Sequence, residues 1–243
     1  MKKLFDKDQV WFAVVWIIIY VVGFSNADAL SESIGIPKLL TVLFGLVMAT
    51  VLYGFIRRNH LAEYLGLCRT KGNCKNLLYF IPLLIISSVN LWNGLTLSYA
   101  VGETALYIIS MCLVGILEEV IFRGLLFKGM CKSNVLSAMI VSSLTFGMGH
   151  IVNLLLGAPL LDTMLQLVYA SAIGFCYTAV FYVSGSILPC ILSHAAVNAT
   201  SAFAIQPTAK LQIVIAIVQT ALSIGYGAWL LRNWKRQKAT SGI

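Results

Sequence analysis

Residues 104–127 read TALYIISMCLVGILEEVIFRGLLF, an apolar run interrupted past its middle by Glu118, Glu119 and Arg123. A helix needs ~20 mostly apolar residues to cross a bilayer. The helix is imposed, because no water in the hydrocarbon satisfies open backbone groups. A charge at that depth costs at least ~2.5–3.5 kcal/mol on insertion scales. Three ionisable groups in one such run therefore need partners around a polar cavity. The stretch predicts a membrane-embedded helix and a site at the same time.

The rest of the chain repeats the first half of that pattern. Its 243 residues are 59% hydrophobic and 11% charged, with a mean hydropathy of +0.89. Soluble domains carry roughly 25% charged residues. Disorder, collagen and nucleic-acid-binding arms need the opposite composition and are excluded. Eight apolar segments are long enough to be spans: roughly 10–24, 37–56, 77–95, 104–127, 135–156, 163–183, 187–203 and 211–231. No polar stretch is long enough to fold alone. The expectation is one transmembrane domain over 1–243, all-α, polytopic, with about eight helices and a polar cavity opening toward the cytoplasm. The motif-bearing core lies at about 104–203. Lys2 and Lys3 before a short first span resemble a signal peptide, but Asp6, Asp8 and seven further spans favour a retained helix.

The +8 net charge is a matter of placement. Lys2, Lys3, Lys7, Arg57, Arg58, Arg69, Lys71, Lys75, Lys128, Lys132, Arg232, Lys235, Arg236 and Lys238 fall on one side of an eight-span chain, and only Lys38 and Lys210 on the other. Fourteen against two predicts cytoplasmic termini. It also explains the basic balance without a nucleic-acid partner. The polar loop 59–76 is expected to meet anionic headgroups. The six cysteines (Cys68, Cys74, Cys112, Cys131, Cys176 and Cys190) avoid the outer loops, so they read as buried or inert thiols rather than a disulfide framework. Asn90, Trp92 and Asn93 are expected to anchor the third span at the interface.

Spacing sorts the intramembrane polar residues. Glu119 and Arg123 are four apart, acid first, which suits an ion pair on one helix face. Glu118 turns about 100° away at 3.6 residues per turn. Its partner must come from another helix. The free groups elsewhere are His150, His194 and Asn198. Phe146 and His150 share a face, as do His194 and Asn198. Gly147 and Gly149 remove bulk beside His150, so a helix or a substrate backbone can come close. Gly174 and Gly185 read as helix packing and a turn.

Glu118-Glu119-Val-Ile-Phe-Arg123, Phe146-Gly-Met-Gly-His150 and His194-Ala-Ala-Val-Asn198 together resemble the three motifs of the CAAX prenyl-protease type II and bacteriocin-immunity (CPBP, or Abi) family. That family's patterns are E-E-x-x-x-R, F-x-x-x-H and H-x-x-x-N. All three stand here in order on separate spans. The resemblance implies an intramembrane endopeptidase in a bacterial plasma membrane, acting on a membrane-embedded or lipidated peptide. It also implies Glu118 and His150 as the pair that activates water, His194 and Asn198 as donors to the oxyanion, and Glu119, Arg123 and Phe146 as support.

The chemistry is coherent on its own terms. A carboxylate and an imidazole at one water can take its proton and return it to the leaving amine. Donors in a dry site then stabilise the oxyanion. The expectation is a metal-free mechanism with no cofactor, and the alternative is a zinc site on Glu118, His150 and His194. The zinc set has the two-His, one-carboxylate composition of catalytic zinc but lacks H-E-x-x-H. Ser193 adjoins His194 but faces elsewhere. An ion-coupled carrier and a non-catalytic immunity protein that binds peptide are the rival functions. Depth is the difficulty: counting ~1.5 Å per residue from the basic side puts Glu118 at ~13 Å, His194 at ~10 Å and His150 at ~24 Å. Either span five starts in the cytoplasm or tilts, or span four ends early near Gly124 and Gly129.

Overall fold

The computed structural model describes residues 1–70 and 80–241, and among them finds helices and no strand. Lys71, Cys74, Lys75 and the start of the third apolar segment lie outside the described residues. A short amphipathic turn, α1 (Lys2–Lys7), precedes α2 (Gln9–Ser33), which Asp8 caps by accepting from the Trp11 N–H at 2.9 Å. Then come α3 (Leu39–Arg58), the short α4 (Ile81–Ser87) and α5 (Val101–Met130). Next are α6 (Val135–Leu155), capped by Asn134, and α7 (Leu160–Ser184). The bundle closes with α8 (Leu188–Thr200) and α9 (Ala209–Ser241).

The all-α membrane architecture agrees with the sequence. Among the described residues six helices are long and apolar enough to cross a bilayer: α2, α3, α5, α6, α7 and α9. The segments 77–95 and 187–203 give only α4 and α8, each followed by a tight turn of helix. These two short helices pair with each other. Ser193 on α8 exchanges hydrogen bonds with the Ser87 hydroxyl (2.9 Å) and with Tyr177 on α7 (2.9 Å). That network occupies the one serine beside a site histidine.

The loops gather at two ends. At one, Tyr64 donates to Gln9 (2.8 Å), the Ile187 N–H to Gly66 (2.9 Å), and Lys128 lies over the rings of Tyr64 and Phe181. This end carries Lys2, Lys7, Arg57, Arg58, Arg69, Lys128 and Lys132. Leu65, Phe5, Phe127, Phe181 and Ile187 are buried there and seal it. Cys131 sits at its margin. Desolvation pushes the Cys131 thiol up to about 11 against the pull of Lys128, so it is an inert thiol at neutral pH. At the other end, Leu95 and Thr96 pair with Phe203 and Ala204, and Lys38 bonds both oxygens of Asp28 (2.7 and 2.8 Å).

Two close approaches position the site. A Cβ at Gly115 would lie 2.8 Å from the Ala195 nitrogen, so α5 and α8 touch backbone to backbone beside His194. A Cβ at Gly147 would lie 1.9 Å from the Ser171 hydroxyl, so α6 sits directly on α7 below His150. Small residues allow this because helix association in lipid rests on van der Waals contact.

Candidate active site

The acidic pair falls where α5 changes character. From Glu119 to Phe127 the helix widens into π geometry, and all nine residues are buried. Such segments recur at functional sites, because the wider turn re-aims side chains that a regular helix would spread around its surface. Here Glu118 and Glu119 both reach the same histidine. His194 Nδ1 lies 2.8 Å from Glu119 Oε1, and His194 Nε2 lies 3.4 Å from Glu118 Oε2. The simple 100° separation expected from the sequence does not hold them apart.

Glu119 is the anchor. Its Oε1 also accepts from Arg123 Nη1 at 2.9 Å, and both side chains are fully buried. The expected i,i+4 ion pair is present. The guanidinium lies between two rings, 4.2 Å from the centroid of Phe146 and 5.5 Å from that of Tyr177. Its Nη2 would sit 3.2 Å from a Cβ at Gly174, so that glycine leaves room for the arginine. The aromatic faces carry partial negative charge and favour the cation. With Nδ1 facing Glu119, the ring of His194 presents Nε2 to Glu118.

Glu118 finds its other partner on α2. Tyr20 donates its hydroxyl to Glu118 Oε1 at 2.6 Å, both groups being buried. Tyr20 was invisible in the sequence: it lies in the first apolar span, outside every motif and about a hundred positions from Glu118. Its only signal is a phenol in a run of aliphatic residues, and a buried phenol seeks an acceptor.

His150 and Asn198 stand differently. Among the described residues neither the His150 ring nor the Asn198 side-chain amide has a hydrogen-bond partner. His150 makes an edge contact with Phe146 at 5.8 Å, and Phe146 makes another with His194 at 5.6 Å. Phe146 thus touches both histidines and Arg123. Glu118, His150, His194 and Asn198 all line one cavity of about 490 Å³, within the usual range for small-molecule sites. Gly149 opens on it, and a Cβ there would meet nothing within 4 Å.

Of the two ways out of the depth problem, one does not hold: α5 runs unbroken through Gly124 and Gly129 to Met130, so span four does not end early. α8 starts at Leu188, directly after Ile187, which is fully buried and donates its N–H to Gly66 at the basic end.

Two expectations need correction. The cavity does not run toward the basic end. Beyond the polar cluster its walls are Asp28, Lys38, Thr41, Tyr107, Asn153 and Ser201, all toward the opposite end. The reason is the apolar seal of Leu65, Phe127 and Phe181 under the basic loops. Asn90 also does not anchor at an interface: it donates to the Val197 carbonyl at 2.5 Å and lines the cavity. As for metal, among the described residues no group of three His, Cys, Asp or Glu side chains is arranged to hold an ion. Glu118, His150 and His194 share the cavity without forming a ligand set.

A polar pocket of acids and histidines inside a bundle of lipid-spanning helices defines a multi-pass membrane protein with a polar cavity among its helices. Residues 100–200, which hold all three motifs, match the family described as type II CAAX prenyl endopeptidase Rce1-like, and this match supports a CPBP-type intramembrane protease. No curated protein and no solved structure matches the chain.

Proposed function

We propose that the protein is an intramembrane endopeptidase in which Glu118 activates a water for attack on a membrane peptide. The observation that carries the reading is the convergence of Glu118, His150, His194 and Asn198 on one cavity. Tyr20 and His194 fix the Glu118 carboxylate from two sides. A held carboxylate loses little orientational freedom when it receives a proton. Water between Glu118 and His150 gives its proton to the carboxylate, and its oxygen adds to the scissile carbonyl carbon. The resulting oxyanion accepts a hydrogen bond from the Asn198 amide and, when His194 carries both ring protons, from its Nε2–H. Glu118 then returns the proton to the leaving nitrogen, the C–N bond breaks, and a carboxylic acid and an amine leave, the acid passing its proton to the amine. Glu119, held by Arg123, orients His194 through Nδ1, as outer partners orient functional histidines elsewhere. No step uses a metal.

The test is cleavage of labelled membrane peptides by purified protein in proteoliposomes, read by mass spectrometry. The reading expects paired products with a new amine and a new carboxylate. Uncut peptide together with peptide-dependent proton flux would instead make the protein an ion-coupled carrier.

A further inference from the structure

Resting on that proteolytic reading, we infer that the cavity admits its peptide from the extracytoplasmic side, so that the substrate is an exported or outward-facing membrane peptide. Two independent observations meet here. The first is which way the cavity runs. From Glu118 it extends past Tyr107 and Ser201 to Asp28 and Lys38, and past His150 to Asn153 and Leu156. No described residue of the basic loops lines it. The second is charge. Lys2 and Lys7 before α2, Arg57 and Arg58 at the end of α3, and Lys128 and Lys132 around the end of α5 all stand at the sealed end, and Lys38 is the single lysine or arginine among the described residues lining the cavity. Basic residues are retained on the cytoplasmic side during insertion. The sealed end is therefore cytoplasmic and the mouth faces outward. A cytoplasmic lipidated tail would have to pass the packed layer of Leu65, Phe127 and Phe181.

The mouth also states what passes it. Lys38 is already neutralised by Asp28, which also accepts from Thr41 at 3.0 Å. Asn153 bonds Gln166 across the opposite wall at 2.9 Å. Leu156 beside them is exposed. Neutral polar groups over an apolar lip suit an uncharged, extended, mostly apolar segment whose backbone takes the hydrogen bonds, and disfavour a strongly charged one.

Sidedness can be read without catalysis. In a cysteine-free background, Leu156→Cys at the lip, Ser25→Cys on the cavity wall and Ser133→Cys at the basic end are treated with a membrane-impermeant maleimide. In intact cells the first two label and Ser133→Cys does not; permeabilisation brings Ser133→Cys up to their level. Labelling of Ser133→Cys in intact cells, or of Ser25→Cys only after permeabilisation, overturns the inference. In parallel, a water-soluble fluorogenic peptide with an apolar centre is added to right-side-out and inverted membrane vesicles. Right-side-out vesicles should cleave it at least about tenfold faster, and the reverse preference overturns the inference. If neither vesicle cuts any peptide while the labelling pattern holds, the proteolytic reading fails and the outward mouth stands.

Discussion

The two walls of the cavity are built on opposite plans. On one, Tyr20, Glu118, His194, Glu119 and Arg123 form a continuous chain of polar contacts: hydrogen bonds of 2.6–2.9 Å, with His194 Nε2 at 3.4 Å from Glu118. On the other, His150 and Asn198 face the same space with no hydrogen-bond partner among the described residues. The difference separates two costs. Buried charge needs satisfied partners to exist in lipid at all. Groups that must meet a water and a peptide need unspent hydrogen-bonding capacity. The protein places the first kind on the π-helical turn of α5 and the second at helix ends that open to the cavity.

This contrast predicts that the closed wall governs stability and the open wall governs turnover. The largest expected effect is on folding. Arg123→Met leaves Glu119 buried without its cation and should lose about 3–5 kcal/mol of stability, seen as a collapse of thermal unfolding temperature in detergent. Unchanged unfolding would mean that Glu119 is neutral and the wall is not a charged network. His150→Ala should do the reverse, with unfolding unaltered and kcat down by about 10²-fold or more. A folding defect in that variant would place His150 with the closed wall.

Between these lies Tyr20→Phe, which removes one hydrogen bond to a carboxylate. Such bonds contribute ~1.5–3 kcal/mol, so kcat should fall about 10- to 150-fold with KM little changed. Steady-state kinetics on a single peptide would settle it, and a change confined to KM would make Tyr20 a substrate contact. The smallest effect concerns metal. Prolonged chelation should leave rates within about twofold, because removing a needed zinc normally abolishes function. Loss on chelation, restored by zinc in proportion to metal bound, would join the two walls through an ion.

Much of the closed wall was legible in the sequence because it is written at short range. Glu119 and Arg123 are four residues apart, and that spacing alone gives the ion pair. The grouping of Glu118 with His150, His194 and Asn198 was legible as a cost: ionisable groups in apolar spans must meet. What was not legible depends on how helices sit against each other. Tyr20 reaches Glu118 only because α2 packs beside the widened part of α5, and no local pattern announces a π turn. The contact of His194 with Glu118 and Glu119 was not legible either, because it depends on Gly115 letting α8 come into backbone contact with α5. The span count of eight rested on hydropathy, which sees apolar length but not that, among the described residues, α4 and α8 are short helices packed on one another. The direction of the cavity was missed for the same reason, since the seal beneath the basic loops comes from residues on four separate elements.

The central claim is that Glu118 is the base that makes water a nucleophile. Glu118→Gln keeps the size of the side chain and an acceptor for Tyr20 while removing the basic oxygen. Wild-type and variant protein, matched in unfolding temperature, should be compared for cleavage of one labelled membrane peptide in proteoliposomes. The account predicts a fall in kcat of about 10³-fold, in the range for loss of a positioned general base. Cleavage by the folded variant at the wild-type rate would contradict it.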